Sequence, residues 1–363
     1  MAPCRGRPEA TWYNTAHTHV PFGRNPTPKV SMTHYGVNRT DKEHPRMPHV
    51  RKPKLIEQRI EQYADYLVDD PGENRGCWRR ALGKPDAPLH VDLGCGKGLW
   101  AARVASAHPD IALVAIDNER MCASFAAEAI GTAGIANARV ILDEASSVND
   151  LFAPGEADVL HINFPTPFPR KKEALKRVTD GARLMEYRTV LGNAGEIHLK
   201  TDSQPLFDFT LEQLEKTGWK VIALTRDLHH VGKGGRNQPI VENTLGGTAC
   251  REAVCGGADF NAAAFNEDAF DAADFTLSFY EEKLTAKGAR VLALHAVAGP
   301  APDIYVPTEP TGLAAYLPED LESLDYAPHG MEDTVANMRN RKRNAQAREA
   351  RHAGACQPED GRN

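Results

Sequence analysis

The sequence predicts an α/β protein built on a doubly wound, Rossmann-like parallel sheet, with an inserted loop region and extended termini. Three observations predict it. Leu89-His-Val-Asp-Leu93 reads as a buried strand that runs into Gly94, Gly96 and Gly98 and then into a helix. Ile111-Ala-Leu-Val-Ala-Ile-Asp117 reads as a second strand that ends on a carboxylate. From 89 to 224, apolar runs of strand length alternate with segments of helical period, the rhythm of βα units.

Taken in order, residues 1–52 mix Pro, Gly, Thr, His and Arg without strand or helix period and are expected to form a flexible, positively charged extension. Leu55, Ile56, Ile60, Tyr63, Tyr66 and Leu67 space out as an amphipathic helix over 54–68, stopped near Pro71-Gly72. Strands are expected at 89–93, 111–116, 139–142, 157–162, 196–200 and 219–224, with helices near 98–107, 119–130, 179–191 and 205–216. Residues 230–272, rich in Gly, Ala and Asn, read as an insertion. Phe275 to Val297 then recovers a helical turn and a strand that returns to the sheet. From Ala298 to Asn337 there is no Lys or Arg, whereas Arg339, Arg341, Lys342, Arg343, Arg348 and Arg351 follow closely. Such opposed charge blocks predict a solvated extension over 298–363 ending in a short basic helix. The predicted organisation is thus an extension at 1–52, a folded domain at 53–297 and a tail.

A chain of 363 residues with net charge -6 does not wrap nucleic acid over its whole surface, although a local basic face stays open to it. The seven cysteines have neither the density nor the spacing of a disulfide scaffold, and no Cys-x-x-Cys pair suggests zinc. A reducing cytoplasm and no metal are expected. No apolar run approaches the roughly 20 residues of a membrane helix, and the amino terminus lacks a hydrophobic signal core, so no membrane partner is expected.

The turn Gly94-x-Gly96-x-Gly98 lacks the Gly-x-Gly-x-x-Gly form of dinucleotide sites and the terminal Lys-Ser/Thr of a phosphate loop. A cofactor without pyrophosphate needs less anion-binding machinery, and S-adenosylmethionine is one. Asp117 is placed to hold a ribose diol, with capping of the next helix as its alternative use. Asp143 or Glu144, after a further strand, is placed to reach the adenine amino group. Asn163-Phe-Pro-Thr-Pro-Phe-Pro-Arg-Lys-Lys172 is too stiff and too basic for an ordinary connection, because each proline fixes φ and ends strand pairing. It reads as a pocket rim beside a polyanion site, with Arg170, Lys171, Lys172, Lys176 and Arg177 as a basic cluster.

These motifs, in this order, resemble the tRNA (guanine-N7)-methyltransferase family over roughly Lys52 to Val297. Lys52-Pro53 and Gly76-x-Trp78 are similar to its elements before the first strand. Val91-Asp-Leu-Gly-Cys-Gly-Lys-Gly98 is similar to its adenosylmethionine motif, with Asp117 and Glu144 at its acidic positions. The segment 163–172 resembles its Asn-Phe-x-Asp-Pro-Trp-Pro-Lys-Lys. Glu196-Ile-His-Leu-Lys-Thr-Asp202 with Leu206-Phe207, and Ser278-Phe-Tyr-Glu281, resemble its later elements. Two departures stand out: Thr166-Pro-Phe168 replaces Asp-Pro-Trp, and Ser278 replaces a threonine.

The resemblance implies a class I, S-adenosylmethionine-dependent methyl transfer to N7 of a tRNA guanine, with no obligatory protein partner. It implies cofactor contacts at Gly94, Gly96, Gly98, Asp117, Glu144 and Asn163. Catalytic positions fall at Asp202, Thr201 and Thr166, the last where the family's aspartate would sit. Substrate contacts fall at Arg170, Lys171, Lys172, Asp202, Ser278 and Glu281. A noncatalytic RNA-binding relative, motivated by Thr166, and a small-molecule methyltransferase, in which the basic loop is incidental, are the competing expectations.

Overall fold

The computed structural model describes residues 53–143, 148–231, 270–307 and 309–355. In chain order the elements are α1 (Pro53–Gln62), β1 (Leu67–Val68), α2 (Trp78–Ala81), β2 (Leu89–Leu93), α3 (Leu99–Ala107), β3 (Ala112–Asp117), α4 (Arg120–Thr132), β4 (Ala138–Leu142) and α5 (Val148–Leu151). They continue with β5 (Val159–Asn163), α6 (Gly181–Leu191), β6 (Glu196–Thr201), α7 (Gln204–Lys216), β7 (Trp219–Thr225), α8 (Leu228–Val231), α9 (Phe279–Thr285), β8 (Leu292–Ala298) and α10 (Glu332–Ala355).

One eight-stranded sheet runs β1-β4-β3-β2-β5-β6-β8-β7. The strands from β1 to β6 pair in parallel, which is why β3 reads as a continuous apolar run buried on both faces. β8 enters antiparallel between β6 and β7, with Glu196 opposite Val297 and His198 opposite His295. This is a mixed α/β fold with helices on both faces, consistent with a class I methyltransferase-like Rossmann sheet. Chain order reverses between β2 and β5, so a crevice opens beyond their carboxyl ends.

Two cores flank the sheet. Under α6 and α7, Leu184, Tyr187, Phe207 and Leu214 pack on Val91, Leu160 and Ile197, each fully buried aliphatic contributing about 2 kcal/mol of transfer free energy. On the other face, alanines Ala101, Ala105, Ala123, Ala126 and Ala127 bring α3 and α4 close together. Gly76 and Trp78 belong to this scaffold: their backbone N–H groups donate to the Glu156 carboxylate at 2.7 and 2.9 Å, and Trp78 Nε1 donates to the Leu151 carbonyl.

Several boundaries differ from the sequence reading. The first helix stops at Gln62, and Leu67-Val68 form an edge strand parallel to β4 instead of a last helical turn. The 298–363 tail is not simply solvated. Leu313, Leu321, Met331 and Val335 are buried, and Leu313 N donates to Pro169 O, so the segment before α10 straps across α7 and the 163–170 loop. The basic helix is also longer than expected, at 24 residues. The 1–52 extension and nearly all of the 230–272 insertion lie outside the described residues. Among the described residues no helix is long and apolar enough to cross a membrane.

Candidate functional site

The crevice is walled by the turns that leave β2, β3, β5 and β6. Gly94, Gly96 and Gly98 all have positive φ, at 81°, 56° and 69°, a backbone that side chains disfavour. Their roles differ. A Cβ at Gly94 or Gly96 would meet nothing within 4 Å, so the turn leaves open space where a ligand approaches backbone. A Cβ at Gly98 would sit 2.5 Å from Ala126 Cα, so the lack of a side chain there lets α3 pack closely on α4.

Asp117 binds the turn from β3. Its Oδ2 accepts from Gly96 N and its Oδ1 from Glu119 N, both at 2.8 Å, so the carboxylate orders the glycine turn and also the start of α4. Burial raises its pKa, against the opposing pull of these two backbone donors. Asp92, at the end of β2, is buried; Oδ1 accepts from Asn163 Nδ2 at 3.2 Å and, among the described residues, Oδ2 has no partner. Burial pushes the Asp92 pKa up to about 7. A buried carboxylate oxygen without a donor, beside a cradle that side chains would fill, fits a ligand bearing a cationic nitrogen and a ribose. S-adenosylmethionine has both. Glu144 lies outside the described residues, while the Asp143 backbone N donates to Asp117 O.

The loop after β5 is held in an unusual shape. Phe164 and Phe168 each have positive φ, 51° and 45°, and each precedes a proline. Arg177 explains how the shape persists. It is fully buried, donates from Nε and Nη2 to the carbonyls of Pro167 and Phe168, and lies 4.6 Å from the Phe209 ring centroid. Arg177 therefore leaves the expected surface cluster and becomes the staple of the rim. Thr166 is exposed at the loop tip. Arg170 forks onto the Glu173 carboxylate at 2.8 Å, whereas Lys171 and Lys172 are exposed beside it.

At the end of β6, Thr201 Oγ1 accepts from Ser203 N. Asp202 Oδ2 accepts from Tyr326 Oη at 2.8 Å and from the His329 backbone N at 2.7 Å, while among the described residues no hydrogen bond reaches Oδ1. The strap thus reaches into the crevice and holds one of the predicted site residues. Its His329 ring lies 5.7 Å from Tyr280 on α9. No local pattern signals this contact, because it joins positions 124 residues apart.

Ser278 and Glu281 have structural partners. They form a reciprocal capping box at the start of α9, and the buried Glu281 carboxylate accepts from Lys200 Nζ at 2.8 Å. Lys200 also donates to the carbonyls of Asp274 and Thr276, tying the 270–281 segment to β6. Beneath that segment His90, His161, His198 and His295 form a row across the sheet. Burial takes the His90 pKa down to about 4, and that of His161 down as well. Glu196, His198 and His295 bring ligand-type atoms within 4.8 Å of one another. The two rings stack 3.5 Å apart and 5° from parallel, however, so their in-plane lone pairs run side by side instead of converging on one ion.

A family model described as "Putative methyltransferase" matches residues 86–234. The tRNA (guanine-N(7)-)-methyltransferase of Streptococcus agalactiae serotype III (strain NEM316) is 33% identical over 180 residues, spanning 50% of this chain and 85% of that protein. The enzyme of the same description from Geobacillus kaustophilus (strain HTA426) is 33% identical over 183 residues, spanning 50% and 84%. Among solved structures, the 16S rRNA methyltransferase KamB aligns at TM-score 0.40 and 14% identity over 61% of this chain and 92% of that one, a likeness that carries no argument about function. With 33% identity across 85% of such a relative, the chain belongs to the tRNA (guanine-N(7)-)-methyltransferase family.

Proposed function

We propose that this protein transfers a methyl group from S-adenosylmethionine to N7 of a guanine in tRNA. The observation that carries this reading is a meeting at one end of the sheet. The open Gly94-Gly96 turn and the partnerless Asp92 Oδ2 adjoin Asn163, and Asp202 with its unoccupied Oδ1 stands at the end of the neighbouring β6. A cradle for a methyl donor and an acceptor group for a base edge then share one crevice.

When bound, S-adenosylmethionine supplies the electrophile: the N7 lone pair forms the bond to the methyl carbon as the carbon–sulfur bond breaks, leaving S-adenosylhomocysteine. N7 carries no proton, so no side chain has to act as a base. The work of the chain is to orient and to balance charge. Asp117 holds the ribose hydroxyls, ionised Asp92 pairs with the ammonium of the methionine portion, and Asn163 keeps Asp92 in place. Asp202 Oδ1 accepts from the N–H groups on the guanine edge, and Tyr326 and His329 fix its carboxylate for that task. Lys171 and Lys172 meet the phosphates.

Thr166 favours one competing reading, a relative that binds RNA without turnover, because no carboxylate stands at the loop tip. Nucleoside analysis of tRNA from cells with and without this protein separates the two. Loss of N7-methylguanosine in its absence is the expected result, and an unchanged level would sink the proposal.

A further inference from the structure

We propose that α10 is an RNA-binding arm that holds the phosphate backbone of the substrate outside the crevice, an inference that rests on the reading above. The arm is rooted at the site. His329 N bonds Asp202, Met331 Sδ lies 3.5 Å from Ser203 Oγ, and Met331 and Val335 are buried. Arg339 then clamps the helix by donating to the carbonyls of Leu321 and Leu324. Beyond this point every residue from Asn340 to Glu349 is exposed.

That exposed stretch carries Arg341, Lys342, Arg343 and Arg348 against the single acid Glu349. Among the described residues, Lys342 reaches only the Glu319 carbonyl and Arg343 only the Asn340 side chain. Among the described residues, Arg341 and Arg348 meet no partner at all. Seven residues apart, these two arginines share a face about 10 Å long, to one side of the buried Met331 and Val335 face.

A helix that is polar all round gains little from burial, and like charges one turn apart, such as Arg339 and Arg343, repel each other. A polyanion offsets this repulsion. In a protein whose net charge is -6, a cationic arm starting beside Asp202 is where an RNA chain with its base in the crevice finds attraction instead of repulsion.

The test uses the full chain with Arg341, Lys342, Arg343 and Arg348 all changed to Gln, a residue of similar helix propensity. Binding of an unmodified tRNA transcript is measured from 50 to 200 mM KCl, alongside S-adenosylmethionine affinity and transfer of labelled methyl. We expect affinity for tRNA to fall about tenfold or more, and the log–log salt slope to shrink by roughly 3. S-adenosylmethionine affinity should be unchanged, and Arg341→Lys, Arg343→Lys, Arg348→Lys should retain most of the binding. Equal affinity and slope in wild type and the Gln variant would overturn the arm while leaving methyl transfer by the wild type intact. Failure of the lysine variant to the same degree would also overturn it, since a structural role and not charge would then be at issue. Wild-type binding that weakens in the Gln variant, without label transfer, would sink the proposed reaction and leave the arm standing. No tRNA binding by the wild type would remove both.

Discussion

Asp92 and Asp117 show how burial and bonding set the properties of single carboxylates. With a folded-state pKa of about 7 against an ordinary 3.8, Asp92 holds a proton that the unfolded chain releases. Stability therefore falls as pH rises from about 4 to about 7, and the cost is fully present above that. Asp92→Asn should melt higher than wild type at pH 8, by up to a few kcal/mol of stability, with the gap closing toward pH 5. The same variant should bind S-adenosylmethionine more weakly at pH 8. A melting difference that ignores pH would contradict the burial argument. Asp117→Ala removes acceptors for Gly96 and Glu119 as well as for the ribose. Its cofactor affinity should drop about tenfold to a hundredfold by calorimetry, and equal affinity would remove Asp117 from the site. Asp117 was legible at its strand end, whereas Asp92 read only as part of the first strand; the split role of the glycines was not legible either, since only Ala126 across the α3–α4 contact distinguishes Gly98.

At the scale of elements, the parallel strands from β2 to β6 and the helices α3, α4, α6 and α7 follow from hydrophobic period, and their ends fall within a few residues of expectation. The short strand β1 did not, because two residues carry no period and its pairing with β4 is decided by packing. Loop 163–170 announced its stiffness through three prolines but hid its staple. Arg177 reads in sequence as one more surface cation, and only the fold turns it inward. Arg177→Met leaves the Pro167 and Phe168 carbonyls unpaired and should lower unfolding free energy by about 2–4 kcal/mol, read from the denaturant midpoint. An unchanged midpoint would show that the prolines alone hold the loop. The strap is equally testable. Tyr326→Phe removes one of two donors to Asp202 Oδ2, which should reduce kcat about threefold to tenfold while leaving the KM for S-adenosylmethionine unchanged. A rise in kcat would mean that the strap blocks the site instead of arranging it.

Across the whole molecule, net charge concealed what its distribution provides. Lys171 and Lys172 stand on the rim of the crevice, so Lys171→Ala with Lys172→Ala should weaken tRNA binding and flatten its salt slope by roughly 1 to 2, with cofactor affinity unaffected. Identical salt dependence would place the RNA elsewhere. A doubly wound sheet was expected from the βα rhythm; the strand order, with its reversal between β2 and β5, came only with the fold and locates the crevice. The strap could not be foreseen from an acidic composition, which hid Leu313, Leu321, Met331 and Val335 among residues that favour solvent. The central claim is that one crevice brings a methyl donor to the N7 of a guanine in RNA. The direct measurement incubates the protein with unmodified tRNA and methyl-labelled S-adenosylmethionine, then digests the RNA and maps the label. Label in N7-methylguanosine, abolished by Asp202→Ala, is the predicted result; label in any other nucleoside, or none in the presence of bound tRNA, would contradict it.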